Sequence, residues 1–236
     1  MAIRPFLAMT AAEMHNCTAF PSRIAWMACH FSPGGSGLSN LPPALPEDAL
    51  LIVNDSTPIH GHDPEEITRQ LIRCIRDRES ACIVLDFQRP DHPETAELVK
   101  YLSHTLPVSP VVSEFYAVES DGPVLLSPLP LSVPLEQYLS GWKNREIWLD
   151  LGCWGEVLTL TEAGCESTPL PPWDLPEQGF PEEKLHCHYQ IHSTEQSAEF
   201  VLWRTEADLF TLLEESEALG VANAVGLFQE LHAIFS

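Results

Sequence analysis

The stretch ACIVLDFQRP (81–90) contains a continuous apolar run of strand length that ends in an aspartate. Two earlier runs, IAWMACHF (24–31) and ALLIV (49–53), are also apolar and lack the polar alternation of a strand with one solvated face. Strands that are apolar on both faces are typical of parallel sheets covered by helices. These runs therefore predict a parallel sheet in an α/β protein.

Eight segments of strand character occur along the chain. We predict strands at residues 6–10, 24–31, 50–54, 81–87, 111–115, 124–126, 147–151 and 221–228. Helix starts lie between several of them: Asp63 with Glu66 can cap one helix, His92-Pro93-Glu94 opens another, and Thr205 with Asp208 can cap a third. Eight parallel strands that alternate with helices indicate an α/β fold of the (β/α)8, or TIM-type, barrel class.

The region before the last predicted strand breaks the alternation. The proline-rich segment TPLPPWDLPEQGFP (168–181) leads into two strand-like runs at 185–191 and 200–204. The polar link at 193–197 is too short for a crossover helix, so these runs should pair antiparallel. We predict a single barrel domain over residues 1–236 that carries an insertion at 165–205.

The residues at the predicted strand ends, taken in order, resemble those of the chitinase-like family 18 glycoside hydrolases. The fourth strand of that family carries Asp-x-x-Asp-x-Asp-x-Glu, and Asp86 matches its final aspartate. The segment EIWLDLGCWG (146–155) is similar to the seventh strand, and residues 203–231 are similar to the closing helix, Gly-Val turn and eighth strand. The resemblance implies a barrel with a carbohydrate site at the carboxyl ends of its strands.

Two positions of the family motifs are altered in this chain. In the family, the motif glutamate protonates the departing glycosidic oxygen, while the aspartate two residues earlier orients the acetamido group of the substrate. Gln88 occupies the acid position here, and an amide cannot act as a general acid. The Met-x-Tyr-Asp signature of the sixth strand falls on LLSP (125–128), which has neither the tyrosine nor the aspartate. We therefore expect a barrel without the family's catalysis that binds a glycan or a protein partner.

The other residues near the strand ends predict a polar mouth with aromatic faces beside it. The candidate ligand-binding residues are Asn54, Asp55, Gln88, Tyr116, Asp150, Trp26 and Trp148, together with Asp86, Glu114 and Trp154. Sugar sites combine polar groups with flat apolar faces, although an acidic residue at a strand end can also cap a neighbouring loop. The alternative hypothesis is an active glycosidase in which Asp86 and Glu114 are the catalytic carboxylates.

Charge and cysteine content restrict the partners and the compartment. Twelve Lys and Arg against 34 Asp and Glu give a net charge of −22, so we expect neither nucleic acid nor a membrane surface as a partner. Seven cysteines without a CxxC pair are typical of reduced thiols. No apolar run approaches the roughly 18 residues of a membrane span, and the first residues lack a signal-peptide pattern. We predict a cytoplasmic protein.

The histidines suggest a third hypothesis, a metal-dependent hydrolase. His186 and His188 would share one face of a strand, and His60-Gly61-His62-Asp63 also has metal-like spacing. Neither cluster has a convincing third and fourth ligand, and Asp63 is already explained as a helix cap. We therefore expect no metal and no cofactor.

Overall fold

The computed structural model describes residues 3–17, 23–43, 45–46, 48–76, 82–162, 164–194 and 197–235. In chain order the strands are β1 (Phe6–Met9), β2 (Ile24–Phe31), β3 (Leu38–Ser39), β4 (Leu50–Asn54), β5 (Cys82–Asp86), β6 (Val111–Ser113), β7 (Val124–Leu126), β8 (Ile147–Leu151), β9 (Gly155–Thr161), β10 (Gly164–Leu170), β11 (Phe180–Glu182), β12 (Cys187–Ser193), β13 (Ser197–Trp203) and β14 (Asn223–Leu227). The α-helices are α1 (Ala11–Asn16), α2 (Pro64–Ile75), α3 (Pro93–Thr105), α4 (Leu135–Leu139), α5 (Glu206–Ala218) and α6 (Phe228–Phe235).

Eight of these strands form a closed parallel barrel. Its order is β1, β2, β4, β5, β6, β7, β8 and β14, and β1 closes the ring because it pairs in parallel with both β2 and β14. The predicted (β/α)8 class is confirmed. The fifth barrel strand is shorter than predicted, because the chain turns into a 3₁₀ helix at Glu114–Glu119 directly after Ser113.

Each barrel strand separates the barrel interior from the layer of surrounding helices, and this position explains the apolar runs. In β4, Leu50 and Ile52 pack inside the barrel, whereas Leu51 and Val53 pack outside against the helices. Both sets are buried, so every residue of such a strand favours an apolar side chain, apart from those at its ends.

Local capping fixes two of the surrounding helices. Asp63 caps α2 by accepting from the amide of Glu65 at 2.9 Å, while Glu66, predicted to complete that cap, pairs with Arg69 instead. Thr205 and Asp208 form the predicted capping box of α5. In the described part of the chain, no helix has the length and apolarity needed to cross a membrane.

A second sheet lies between the seventh and eighth barrel strands. It is antiparallel, with the order β10, β9, β13, β12 and β11. The segments predicted at 185–191 and 200–204 correspond to β12 and β13, which pair antiparallel. The sheet begins at Gly155, ten residues before the predicted start of the insertion, because GEVLTLT (155–161) continues the chain from the barrel directly into β9.

Candidate functional site

The carboxyl ends of the barrel strands surround an open cavity of about 750 Å³. Alternate residues of each strand face the barrel interior, so the last inward residue of a strand lines this mouth. The residues that supply polar groups to it are Thr10, His30, Asn40, Asn54, Asp55, Ser56, Asp86, Gln88 and Asp150. Apolar contacts come from Met27, Leu125, Leu227 and several alanines.

Asp86 and Gln88 meet in the mouth, as the sequence predicts. The side-chain amide of Gln88 donates a hydrogen bond to the carboxylate of Asp86. Burial raises the pKa of Asp86 and the nearby Asp55 raises it further, whereas the hydrogen bond from Gln88 lowers it. The Gln88 amide therefore occupies the mouth beside Asp86 and binds its carboxylate.

Asp150 reaches the same cavity from β8, three strands along the ring from β5. Burial raises the pKa of Asp150 to about 8, and the negative charges of Asp86 and Glu230 add to the effect. A hydrogen bond from the backbone amide of Leu151 acts in the opposite sense. The surroundings of this carboxyl group therefore favour its protonated form.

Asn54 and Asp55 also line the mouth, but their side chains form hydrogen bonds with neighbouring backbone groups. The Asn54 amide donates to the carbonyl oxygen of Met27 at 2.7 Å. The Asp55 carboxylate accepts from the backbone amides of Gln88 and Arg89, at 3.1 and 3.0 Å. Asp55 therefore caps the loop that positions Gln88.

Asp55→Ala should lower the free energy of unfolding by about 1–3 kcal/mol, because it leaves two loop amides without their acceptor. Asp55→Asn keeps one acceptor oxygen and should cost less. Urea unfolding at pH 7 measures both values. Equal stability of the alanine variant and the wild type would show that water replaces the carboxylate without loss.

Glu114 and Tyr116 do not line the mouth. The Glu114 carboxylate accepts from the amide of Ser127 at 3.2 Å, so it holds the loop after β7. The Tyr116 side chain is buried with its ring edge against Phe87, and its hydroxyl donates to the carbonyl oxygen of Arg89. The short β6 explains both placements, since the 3₁₀ helix that follows it turns these residues away from the cavity.

The three tryptophans also lie away from the cavity lining. Trp26 packs between barrel and helices, and its indole donates to the carbonyl oxygen of Asn40 at 2.9 Å. Trp148 faces the barrel interior but lies two residues before Asp150, at the amino-terminal end, where it stacks on Phe6. Trp154 packs where the second sheet meets the barrel. The expected aromatic platform is therefore not formed by these residues.

Four polar residues in the mouth were missed in the sequence: Thr10, His30, Asn40 and Ser56. Thr10 follows β1 directly, and His30 is the last but one residue of β2. Asn40 donates to Nε2 of His30 at 3.1 Å, which assigns the ring proton to Nδ1, within 2.8 Å of the carbonyl oxygen of Phe31. Thr10 and His30 lie at the ends of strands, and this is the same signal that identified Asn54 and Asp86.

The two histidines of the metal hypothesis have other partners. His186 lies before β12 in a left-handed conformation, and its Nε2 is 3.0 Å from the Glu215 carboxylate. His188 contacts the Asp208 carboxylate through Nδ1 at 2.9 Å. The part of the chain that is described contains no group of three or more His, Cys, Asp or Glu able to hold a metal ion. The two rings therefore contact two different carboxylates of α5, which lie seven residues or about two helical turns apart.

Comparison with solved structures shows that the fold is shared with family 18 glycoside hydrolases. Similar structures include a chitinase from Chromobacterium violaceum (TM-score 0.58, 12% identity, 98% of this chain and 96% of that chain). A family 18 N-acetylglucosaminidase from Paenibacillus barengoltzii has a TM-score of 0.53 at 8% identity, covering 95% of this chain and 94% of that one. The spore cortex-lytic enzyme SleL from Bacillus cereus has a TM-score of 0.53 at 8% identity, covering 95% of this chain and 70% of that one.

The likeness concerns the fold, because these identities are low. No protein-family model matches the chain, and no curated protein matches it by sequence. The predicted resemblance to family 18 glycoside hydrolases is thus confirmed at the level of the fold.

Proposed function

We propose that the barrel mouth binds a carbohydrate and lacks the usual hydrolytic mechanism of family 18 glycoside hydrolases. The observation that carries this proposal is the hydrogen bond between the side chains of Gln88 and Asp86 inside the cavity. The family mechanism needs a proton donor at the position of Gln88 and, at the position of Asp86, a carboxylate that orients the acetamido group. In this chain the first of these positions holds an amide, which cannot protonate a leaving group and is hydrogen-bonded to the Asp86 carboxylate.

The cavity itself supports a small-molecule ligand. Its volume of about 750 Å³ falls within the usual range of ligand sites, and its lining combines apolar side chains with a few convergent polar groups. Met27, Leu125 and Leu227 can contact the apolar faces of a sugar ring, while Asn54, Asp86 and Asp150 can contact its hydroxyl groups. A protein partner is the second candidate ligand.

An active glycosidase that uses Asp86 with Glu114 is less well supported. Glu114 does not line the cavity, and its carboxylate already accepts from the amide of Ser127. A catalytic pair has to face one glycosidic bond from two sides. The placement of Glu114 therefore disfavours this pair.

The wild-type protein should bind N-acetylglucosamine oligomers without hydrolysing them, because no acid occupies the position of Gln88. Binding can be measured by calorimetry or NMR titration, and hydrolysis by chromatography of the products. Gln88→Glu restores a carboxyl group and should recover at most a trace of turnover, since the tyrosine and aspartate of the sixth-strand signature are still missing. Gln137→Glu, an exposed position on α4, is the matched control.

Hydrolysis by the wild type that disappears in Asp86→Ala would contradict the proposal. If Glu114→Ala removed the same activity, the carboxylate pair of the alternative hypothesis would replace it. If the wild type neither binds nor hydrolyses the oligomers, a carbohydrate ligand of this class is excluded.

A further inference from the structure

We infer that the carboxyl group of Asp150 is a hydrogen-bond donor in the mouth and selects a ligand with a neutral oxygen acceptor, such as an amide carbonyl or a ring oxygen. This inference rests on the proposed function, because it concerns a ligand in the same cavity. It goes further by assigning the chemistry of one contact and the protonation state in which that contact forms.

The lining of the cavity gives the first reason. Asp55, Asp86 and Asp150 all contribute to it, whereas the described lining residues include neither lysine nor arginine. Each of the three side chains accepts a hydrogen bond: Asp55 binds two loop amides, Asp86 binds Gln88, and Asp150 accepts from the backbone amide of Leu151. Ionising Asp150 would place a third negative charge in this space without a balancing cation, which is costly in a partly enclosed site.

The groups packed around Asp150 give the second reason. Asp86 faces it from β5 and Glu230 from α6, and both disfavour its ionised form. On α4, Tyr138 donates its hydroxyl proton to the carbonyl oxygen of Ser127, and burial together with Glu114 and Asp150 raises the pKa of its phenol. His30 is the titratable group that lines the mouth from β2. The surroundings of Asp150 therefore favour its acid form, with a pKa of about 8.

The protonated carboxyl and the carboxylate would select different ligands. A protonated carboxyl donates one hydrogen bond, so it binds a neutral acceptor, and that contact is lost when the proton leaves. A carboxylate accepts hydrogen bonds and attracts cations, so a ligand held by it would bind more tightly at higher pH. The sign of the pH dependence separates these two cases.

The test measures the affinity of N-acetylglucosamine oligomers at pH 7 and pH 9 by calorimetry. With a pKa near 8, the protonated fraction of Asp150 falls about tenfold over this range, and the affinity of the wild type should fall by a similar factor. Asp150→Asn keeps a donor but cannot titrate, so its affinity should be the same at both pH values.

Glu136→Gln provides the matched control. It removes one negative charge from an exposed position of α4 outside the cavity and should retain the tenfold fall. A wild-type affinity that is constant or rises with pH would overturn the inference while leaving the proposed function intact. The inference would also be overturned, with the proposed function intact, if the affinity of Asp150→Asn fell between pH 7 and pH 9 as much as that of the wild type. Absence of binding by every variant at both pH values would instead overturn the proposed function.

Discussion

Replacing Asp150 by asparagine should stabilise the protein, and the gain should grow with pH. The pKa of Asp150 is raised from 3.8 to about 8 in the folded protein. Between these values the folded chain holds a proton that the unfolded chain has lost, so the stability of the wild type falls as pH rises. Asparagine does not ionise and avoids this loss.

The expected size of this effect follows from linkage. Each unit of pKa difference corresponds to about 1.4 kcal/mol, so the advantage of Asp150→Asn should reach several kcal/mol near pH 8 and then level off. Urea unfolding of both proteins at pH 5, 7 and 9 measures the difference. Glu136→Gln serves as the control for the change in net charge. A difference between wild type and Asp150→Asn that does not vary with pH would contradict the raised pKa.

Trp203→Ala should destabilise the protein by about 3–5 kcal/mol, the usual cost of removing a buried aromatic side chain. Trp203 is only 2% exposed and lies at the end of β13, where the second sheet leads into α5. Its ring stacks on His188 with 5.8 Å between centroids. It also packs against Gly179, since a Cβ there would lie 2.1 Å from the Trp203 ring. The substitution therefore opens a cavity between three segments of the chain.

Trp173→Ala is the matched control for this experiment. Trp173 is 82% exposed, and its removal should change the free energy of unfolding by about 0.5 kcal/mol or less. Both variants can be compared with the wild type by urea unfolding at pH 7. Equal effects of the two substitutions would show that the contacts of Trp203 do not contribute to stability.

The two predictions concern different parts of the molecule and are independent. Asp150 lies in the mouth. Its raised pKa lowers the stability of the folded protein as pH rises, and this loss can be measured. Trp203 lies in the connection between the second sheet and α5. A mouth that keeps a destabilising carboxyl group is consistent with a binding role for it, because sites often retain groups that the fold alone would not favour.

The sequence by itself determined the barrel and the ends of its strands. Strands buried on both faces need continuous apolar runs, and that pattern located all eight barrel strands to within a few residues. Helix starts depend on a few adjacent residues, so the capping box of Thr205 and Asp208 was also readable. Asn54, Asp86, Gln88 and Asp150 reached the mouth because each lies at or just after the carboxyl end of a strand.

The tertiary structure decided which neighbouring residues face that mouth. Trp148 and Asp150 share the inner face of β8, yet two residues of rise, about 7 Å, place one at the base of the barrel and the other at its mouth. Glu114 and Tyr116 turn away because β6 ends early. The acid form of Asp150 depends on Asp86 and Glu230, which are distant in the sequence, so only the closed barrel brings together the charges that set it.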